Sequence, residues 1–436
     1  MEYYNFSKMV FKIQLMKNIS LNSFFLEKII ILLIPFFAIF SIFLLDFSLL
    51  ILTVSFVVRT LRNKTYHYYF NKFIYIFLIF YFYILFRYLL REHDYSSFKS
   101  IFFYFRYGLY VLAIYYFLLK IEDLESLFLK SVIFSISLLV IDSFVQFIFG
   151  KNVLGNTIID NNRVSSFFGD ESILGSYLVK FLPFLYLILT KNLNNQKLFF
   201  FTLILIGLTD VVIFLSGERA SFLLTIILTI YFIFMIPNLR ILRILLLFVT
   251  ASVILTIFLL KDNFSERYYK TLNEFVKSDN YTNNLILDKS LIKTDFYIIS
   301  PTHHNYFLTS ANMFKDNKFF GQGPRSYRYL CNEDKFKINA YSCSNHPHNY
   351  YMQMLAELGI VGFSFLVLFY IYILIKIIKI LIFEKKNTYM ICVLCFFMIN
   401  LWPLTSTGNF FNNWISILIY LPFSFFLLGI KKHNAI

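Results

Sequence analysis

Charged residues are scarce in this 436-residue chain: Asp, Glu, Lys and Arg make up 15% of it, whereas 58% is hydrophobic and 21% aromatic. A soluble domain has about 25% charged and about 45–50% apolar residues. The deficit of charge excludes an ordinary soluble globular protein. Together with a mean hydropathy of +0.67, it predicts an integral membrane protein that crosses the bilayer several times.

Several other features are missing. The first 28 residues lack a short apolar core followed by a small-residue cleavage site, so we expect no conventional signal peptide. The chain has no repeat of fixed period. Acidic residues are fewer than basic ones, 25 against 40 Lys and Arg. By itself this excess of positive charge would suggest a nucleic-acid partner. The basic residues lie between apolar segments rather than in patches, however, so no nucleic-acid partner is predicted.

Long apolar segments dominate the rest of the sequence. A helix that crosses a hydrocarbon core of about 30 Å needs roughly 20 apolar residues. We predict an all-α polytopic membrane protein with about twelve transmembrane helices, the second of them short and joined to the first by a tight turn near Asp46. The predicted segments are 29–45, 47–58, 73–90, 101–119, 131–149, 172–190, 198–215, 220–236, 244–260, 358–375, 388–404 and 410–430.

The distribution of basic residues predicts the topology. If the N-terminus is cytoplasmic, the connections that face the cytoplasm carry far more Lys and Arg than the short outer loops. Both termini are therefore predicted to be cytoplasmic. The outer connection 261–357, between helices 9 and 10, is too long for a simple turn and is predicted to be functional. The chain divides into helices 1–9 (1–260), this loop (261–357) and helices 10–12 (358–436).

The most informative stretch is SNHPHNYYMQMLAELGIVG, from Ser344 to Gly362. It places His346, His348, Asn349 and Glu357 at the mouth of an apolar helix. Titratable groups at a bilayer surface are typical of a functional site.

The four cysteines fall into two pairs. Cys331 and Cys343 lie in the predicted outer loop, where an oxidising periplasm would favour a disulfide; two free thiols are the alternative. Cys392 and Cys395 lie in an apolar segment without a nearby His or carboxylate, so we interpret them as packing residues rather than metal ligands.

The spacing from His348-Asn349 through nine residues to Gly359 and two more to Gly362 resembles the signature of the O-antigen ligase and polymerase superfamily. Those enzymes are membrane glycosyltransferases that act on undecaprenyl-diphosphate-linked glycans at the periplasmic face. Other stretches resemble the family from about residue 130 onward. They are NRVSSFFGDESILGSYLVKFLP (Asn161–Pro183), SGERAS (Ser216–Ser221), MFKDNKFFGQGPRSYR and LWPLTSTGNFFNNW (Leu401–Trp414).

The resemblance implies a reaction and candidate residues for it. Breaking the glycosyl–diphosphate bond leaves negative charge, which suits Arg219, the match to the family's functional arginine. His348 matches the family's histidine and is predicted to act as general base or to position the acceptor. Single displacement with inversion is expected. The outer loops have no Asp-x-Asp for a metal–nucleotide sugar, so neither a metal nor another cofactor is predicted.

Six further residues are predicted to contact substrate: Arg163, His304, Arg325, His346, Asn349 and Glu357. For Arg163 and Arg325 the alternative is contact with solvent or lipid headgroups, and His346 is expected to shape the loop. For Glu357 the alternative is a carboxylate at the start of helix 10. Many ligases have a second functional arginine where this chain reads SPTHHNYF. Either His304 replaces it, or Arg325 or Arg267 takes its role from elsewhere.

The resemblance leaves the acceptor open. A ligase transfers the glycan to lipid A–core, whereas a polymerase joins lipid-linked repeats. We favour a ligase-like enzyme in the bacterial inner membrane, with an undecaprenyl-diphosphate-linked donor, a lipid or glycan acceptor and membrane lipids as its partners. A polysaccharide transporter is the alternative from another class, but it would place charges near the bilayer midplane.

Overall fold

The computed structural model describes residues 24–90, 95–158, 163–191, 193, 195–260, 269, 300–340, 342–383 and 387–434. Within these ranges every regular element is a helix, which confirms the predicted all-α class. Much of the predicted 261–357 loop, namely 261–268 and 270–299, lies outside the described residues, as does the N-terminal part of the first predicted unit.

The described residues form fifteen α-helices, numbered here in chain order. They are α1 (Phe25–Phe40), α2 (Ile42–Arg62), α3 (Lys72–Leu89), α4 (Tyr95–Phe102), α5 (Phe105–Lys120), α6 (Leu124–Phe149), α7 (Leu174–Lys191), α8 (Gln196–Leu215), α9 (Arg219–Met235), α10 (Arg240–Leu260), α11 (Pro301–Asp316), α12 (Tyr327–Leu330), α13 (Tyr350–Phe383), α14 (Thr388–Asn400) and α15 (Asn413–Asn434).

The apolar helices agree with the predicted membrane segments, each of which overlaps one of them. Nine of the described helical segments are long and apolar enough to cross a membrane, and α9 and α14 are shorter apolar helices. The protein is therefore built as a multi-span membrane protein, while the count of twelve spans remains a prediction.

One predicted boundary was wrong. The break between α1 and α2 falls at Ser41 rather than near Asp46, and Ser41 Oγ caps α2 by accepting from Leu44 N at 3.2 Å. The second segment is consequently not short, because α2 has 21 residues. The helix that contains predicted segment 358–375 extends back to Tyr350 across a break at Gly359, so the predicted start lies next to that break.

Aromatic packing holds the centre of the bundle together. The ring of Phe184 in α7 lies 4.2 Å from that of Phe396 in α14, and 5.0 Å from that of Phe425 in α15. Phe128 of α6 packs against both Phe184 and Phe425. Four helices thus form a rigid frame, whereas α10 leaves most of its apolar side chains exposed, as expected of a lipid-facing helix.

The polar connections gather at one end of this frame, which we call the polar end: residues 150–158, 163–173, 216–218, 300–340, 342–349 and 401–412. Val164 N donates to Leu215 O at 3.1 Å, and Thr407 N donates to His348 O at 2.8 Å. These bonds draw separate loops onto one surface, where the predicted functional residues lie.

Candidate active site

Helix α13 is interrupted near its start, at Gly359, and two glycines explain this break. Gly359 has φ +64° and Gly321 has φ +65°, the left-handed region that favours glycine. A Cβ on Gly359 would lie 2.4 Å from Phe319 O, and one on Gly321 would lie 2.5 Å from the backbone of Glu357. The loop before α12 can therefore lie directly against the broken turn only if both positions are glycine.

Hydrogen bonds fasten this contact. Gly323 N donates to Glu357 O at 2.7 Å, and Ile360 N donates to Lys318 O at 2.8 Å. Backbone groups freed by the break are thereby satisfied. Arg87 of α3 is 6% exposed and donates from Nη2 to the carbonyl of the loop's first glycine at 2.9 Å. The glycines of the motif are thus explained by close backbone packing between the loop and the broken turn of α13.

Glu357 lies inside α13, two residues before the break at Gly359. Its side chain is 1% exposed, and its carboxylate accepts from Arg325 N at 2.9 Å, Tyr327 N at 3.3 Å and Gln353 Nε2 at 3.1 Å. A buried carboxylate with three donors from the protein holds the 321–327 loop in place. This geometry favours a positioning role over the predicted substrate contact.

Asn349 supports the backbone next to the predicted base. It is 4% exposed, and its Nδ2 donates to Pro403 O at 2.8 Å and Thr405 O at 3.1 Å. Its Oδ1 accepts from Met352 N at 3.1 Å, as an N-cap of α13 does. Its amide thus ties the backbone next to His348 to the 401–412 turn, and its contact with substrate stays a prediction.

Three histidines and a tyrosine surround one point of the polar end. The ring centroid of His348 lies 4.1 Å from that of His346 and 5.5 Å from that of His303, and it stacks on Tyr306 at 5.4 Å. His348 itself has φ +55°. We call these four residues the imidazole cluster.

The imidazoles are neutral at pH 7. Burial, followed by the neighbouring His348, lowers the pKa of His346 to about 3 and that of His303 to about 4. Burial also lowers the pKa of His348. A neutral imidazole accepts a proton, so His348 is in the form that a general base requires.

His303, which the sequence reasoning passed over, belongs to this cluster. Its Nδ1 lies 2.7 Å from the Oγ of Ser300, which also caps α11 by accepting from His303 N at 3.3 Å. His303 and Tyr306 are three residues apart, so they share a helix face. That spacing was a signal in favour of His303. The predicted His304 follows on the next position around α11 and is half-buried, with its pKa lowered by burial.

Arg219 is the exposed first residue of α9, and the residue before it fixes its position. Glu218 is 8% exposed and accepts from Gly175 N at 2.6 Å and from Ser176 N at 2.9 Å, at the start of α7. A carboxylate is favourable at a helix N-terminus. After burial and His348, the charge of Arg219 is the third cause of the lowered pKa of His303. Arg219 is therefore close enough for its charge to act on His303 of the imidazole cluster.

Arg163 and Arg325 are half-buried and bind neighbouring loops. Arg163 donates from Nη1 to Ser172 Oγ at 2.8 Å and from Nη2 to Gly217 O at 3.4 Å. Arg325 donates to Ser100 Oγ from its guanidinium. Both therefore have structural partners, and their contact with substrate stays a prediction.

A disulfide joins Cys331 and Cys343, whose Cα atoms are 5.0 Å apart. Tyr327 OH donates to Ser342 O at 2.9 Å beside it. These links hold the segment leading to the imidazole cluster against α12. Cys392 and Cys395 are fully buried in α14, in agreement with a packing role. Among the described residues no group of three or more His, Cys, Asp or Glu has the arrangement of a metal site.

Residues 199–367 match the family model described as O-Antigen ligase. The matched region contains Arg219, the imidazole cluster and both glycines of the break, and it confirms the predicted resemblance to the O-antigen ligase and polymerase superfamily. No curated protein matches the chain.

Proposed function

We propose that this multi-span membrane protein, which carries an O-antigen ligase region, is a ligase-type glycosyltransferase. It would move a glycan from an undecaprenyl-diphosphate carrier to lipid A–core or a similar acceptor at the periplasmic face of a bacterial inner membrane. The observation that supports this most is the position of His348, whose ring packs against His346 and Tyr306 and whose pKa is lowered by burial. The charge of Arg219 acts on His303 of the same cluster.

The leaving group determines the role of Arg219. When the bond between the anomeric carbon and the diphosphate oxygen breaks, that oxygen keeps the electron pair. The undecaprenyl diphosphate departs with an added negative charge. A guanidinium contacts two phosphate oxygens at once, so Arg219 would bind the donor and stabilise the departing charge.

The nucleophile determines the role of His348. The neutral imidazole would take the proton of the acceptor hydroxyl while that oxygen forms its bond to the anomeric carbon. Attack from the side opposite to the diphosphate gives inversion. The proton then rests on His348 and is released to solvent. Because the leaving group is already a good one, the proposed step uses neither a metal nor another cofactor.

The surrounding polar end would prepare these groups. Asn349 and the 401–412 turn hold the backbone of His348, Tyr306 packs on its ring, and Glu357 secures the loop before α12. Preorganised groups lose little freedom in the transition state. In the proposed topology the polyprenyl tail lies between helices among membrane lipids, and both termini are cytoplasmic.

A polymerase, in which the acceptor is a second lipid-linked repeat unit, is the second candidate. The observation in its favour is that α11 carries His303 and His304 where many ligases have an arginine. A transporter is disfavoured because the imidazole cluster and Arg219 lie at the polar end rather than along a central pathway.

Complementation separates these functions. The wild-type chain and the His348→Ala and Arg219→Ala variants are expressed in a ligase-deficient and in a polymerase-deficient strain, with membrane expression checked by immunoblot. We expect restored capping of lipid A–core by the wild type and its loss in both variants. Restored chain lengthening instead would make the protein a polymerase. Activity that survives both substitutions would refute the proposed site.

A further inference from the structure

Lys180 of α7 is a cation that the proposed reaction does not use. It lies within a helix that is long and apolar enough to cross a membrane, where a charged side chain is costly unless it has a partner. With the other described residues Lys180 makes no hydrogen bond or ion pair, and its Nζ lies 6.0 Å from the ring centroid of Trp414. An unpaired ammonium inside such a helix is suited to an anion supplied from outside the protein.

A crevice on one face of α7 contains Lys180. From Leu174 to Leu189 every residue is buried except Ser176 and Lys180, which are half-buried. Residues four apart lie on one helix face, here about 6 Å apart along the axis. Because α7 is enclosed by protein elsewhere, this exposure indicates a recess between helices rather than a surface that faces lipid. The recess ends at Lys180, since Phe184, the next residue on that face, is 1% exposed.

The mouth of the crevice lies beside Arg219. Ser176 Oγ donates to the carboxylate of Glu218 at 2.6 Å, and so do Ser221 Oγ at 3.0 Å and two backbone N–H groups at the start of α7. Four donors satisfy this carboxylate, so it leaves Lys180 without a hydrogen-bond partner. Arg219 follows Glu218 directly and begins α9, which places its backbone at the mouth.

Trp414 forms one wall of the crevice and is held in place. It is 6% exposed, and its Nε1 donates to Ala38 O of α1 at 2.8 Å. The hydroxyl of Tyr177 in α7 donates to Pro35 O of the same helix α1 at 2.9 Å. The walls are therefore fixed by contacts among α1, α7 and α15. Trp414 lies two residues after the 401–412 turn, which also supports the imidazole cluster.

We propose that this crevice binds the phosphate that is attached to the polyprenyl chain of the donor, with Lys180 as its cation. This inference rests on the proposed function and adds to it, because Arg219 at the mouth would then bind the second phosphate, the one attached to the glycan. Lys180 is rooted deeper in α7 than Ser176, and the lipid end of a diphosphate lies deeper in the membrane than its sugar end. An ammonium binds phosphate as a compact point charge. A phospholipid headgroup presents the same phosphate chemistry, so the experiment includes one.

The fluorescence of Trp414 reports on the crevice directly. The chain has two tryptophans, Trp402 and Trp414, and a Trp402→Phe background leaves only the one on the wall. The detergent-solubilised full chain is titrated with farnesyl phosphate, farnesyl diphosphate, the uncharged alcohol farnesol and dihexanoyl phosphatidylglycerol. Each titration is repeated with Lys180→Gln, Lys180→Arg and Arg219→Gln. Lys335→Gln is the matched control, since it removes one exposed positive charge from the polar end.

We expect Lys180→Gln to weaken farnesyl phosphate binding by about tenfold or more, as for the loss of a charge-assisted hydrogen bond. Lys180→Arg should keep most of the affinity, since the positive charge is retained. Farnesyl diphosphate binding should weaken in both Lys180→Gln and Arg219→Gln, whereas farnesyl phosphate binding should be unchanged in Arg219→Gln. Lys335→Gln should change neither constant. The melting temperature should not fall in Lys180→Gln, because that change removes an unpaired charge from a membrane helix.

Three results would overturn the inference. Unchanged farnesyl phosphate binding in Lys180→Gln would exclude a phosphate at Lys180. Farnesol that binds the wild type as tightly as farnesyl phosphate would leave only an apolar crevice. Phosphatidylglycerol that binds as tightly as farnesyl phosphate, with the same dependence on Lys180, would assign the crevice to phospholipid headgroups. Failure of the proposed function is a separate result: a chain that binds farnesyl phosphate through Lys180 but restores neither the ligase-deficient nor the polymerase-deficient strain keeps the prenyl phosphate site and contradicts the reaction.

Discussion

Replacement of His348 by Gln removes the proposed base and little else. The backbone at residue 348 is in the left-handed region, where His is enriched and Gln is less favoured, so the change adds a small backbone cost. Thr407 N still donates to the carbonyl oxygen of residue 348, and Asn349 still caps α13. The change therefore deletes the proton acceptor and the stacking on Tyr306.

The expected loss follows from those two terms. A positioned general base contributes about 100- to 10,000-fold to a rate, which corresponds to about 2.7–5.4 kcal/mol of activation free energy. The aromatic contact contributes about 0.5–1.5 kcal/mol, and it stabilises the fold rather than the transition state. We expect kcat to fall at least a hundredfold while the free energy of unfolding changes by about 1 kcal/mol.

The pH dependence gives a sharper signature. A base must be neutral, and burial lowers the pKa of His348 from its ordinary 6.5. The wild-type rate should therefore hold through pH 6.5 and fall only at a lower pH, as the imidazole becomes protonated. In His348→Gln that acid limb should disappear, because no group at this position titrates.

The assay is the initial rate of glycan transfer from an undecaprenyl-diphosphate donor by purified enzyme between pH 4 and 8. His67→Gln is the matched control, since His67 lies in the exposed connection between α2 and α3, away from the polar end. A loss smaller than about tenfold, or an acid limb that persists unchanged in His348→Gln, would refute the assignment of His348 as the base.

Three further predictions concern the supports of the site. Gly359→Ala should lower stability by at least about 1–3 kcal/mol and abolish transfer, because of its φ and the clash with Phe319 O; a variant with an unchanged melting temperature would contradict this. Glu218→Ala should destabilise by about 1–3 kcal/mol, since it leaves donors at the start of α7 unsatisfied, and thermal unfolding measures that loss. Thiol labelling of the unfolded chain without reductant should leave Cys331 and Cys343 unmodified and should label both after reduction; labelling before reduction would exclude the disulfide.

Much of the fold was predictable because the bilayer imposes one strong rule. Each span needs about 20 apolar residues with its hydrogen bonds satisfied internally, so composition and length identify helices. The break at Ser41 escaped prediction because no glycine or proline marks it. The part of α13 before the break at Gly359 had a signal, namely Asn349 as an N-cap, but the apolar run after Glu357 suggested that the helix starts there.

Side-chain chemistry at the site was predictable only in part. His348 and Arg219 follow from motifs; His348 lies in the imidazole cluster, and the charge of Arg219 acts on His303 of that cluster. His303 had a weaker signal, its spacing of three residues from Tyr306. That spacing indicates a shared helix face, but its relevance to the site follows only when α11 is seen to pack against His348.

The motif itself encodes backbone geometry more than catalysis. Gly359 and Gly321 allow two backbones to touch, and Asn349 ties the start of α13 to the 401–412 turn. Of the four signature positions, His348, Asn349, Gly359 and Gly362, only His348 offers a group suited to proton transfer. Enzymes that share this support can therefore share donor chemistry and still use different acceptors. We therefore expect the discrimination between ligase and polymerase to reside outside the motif.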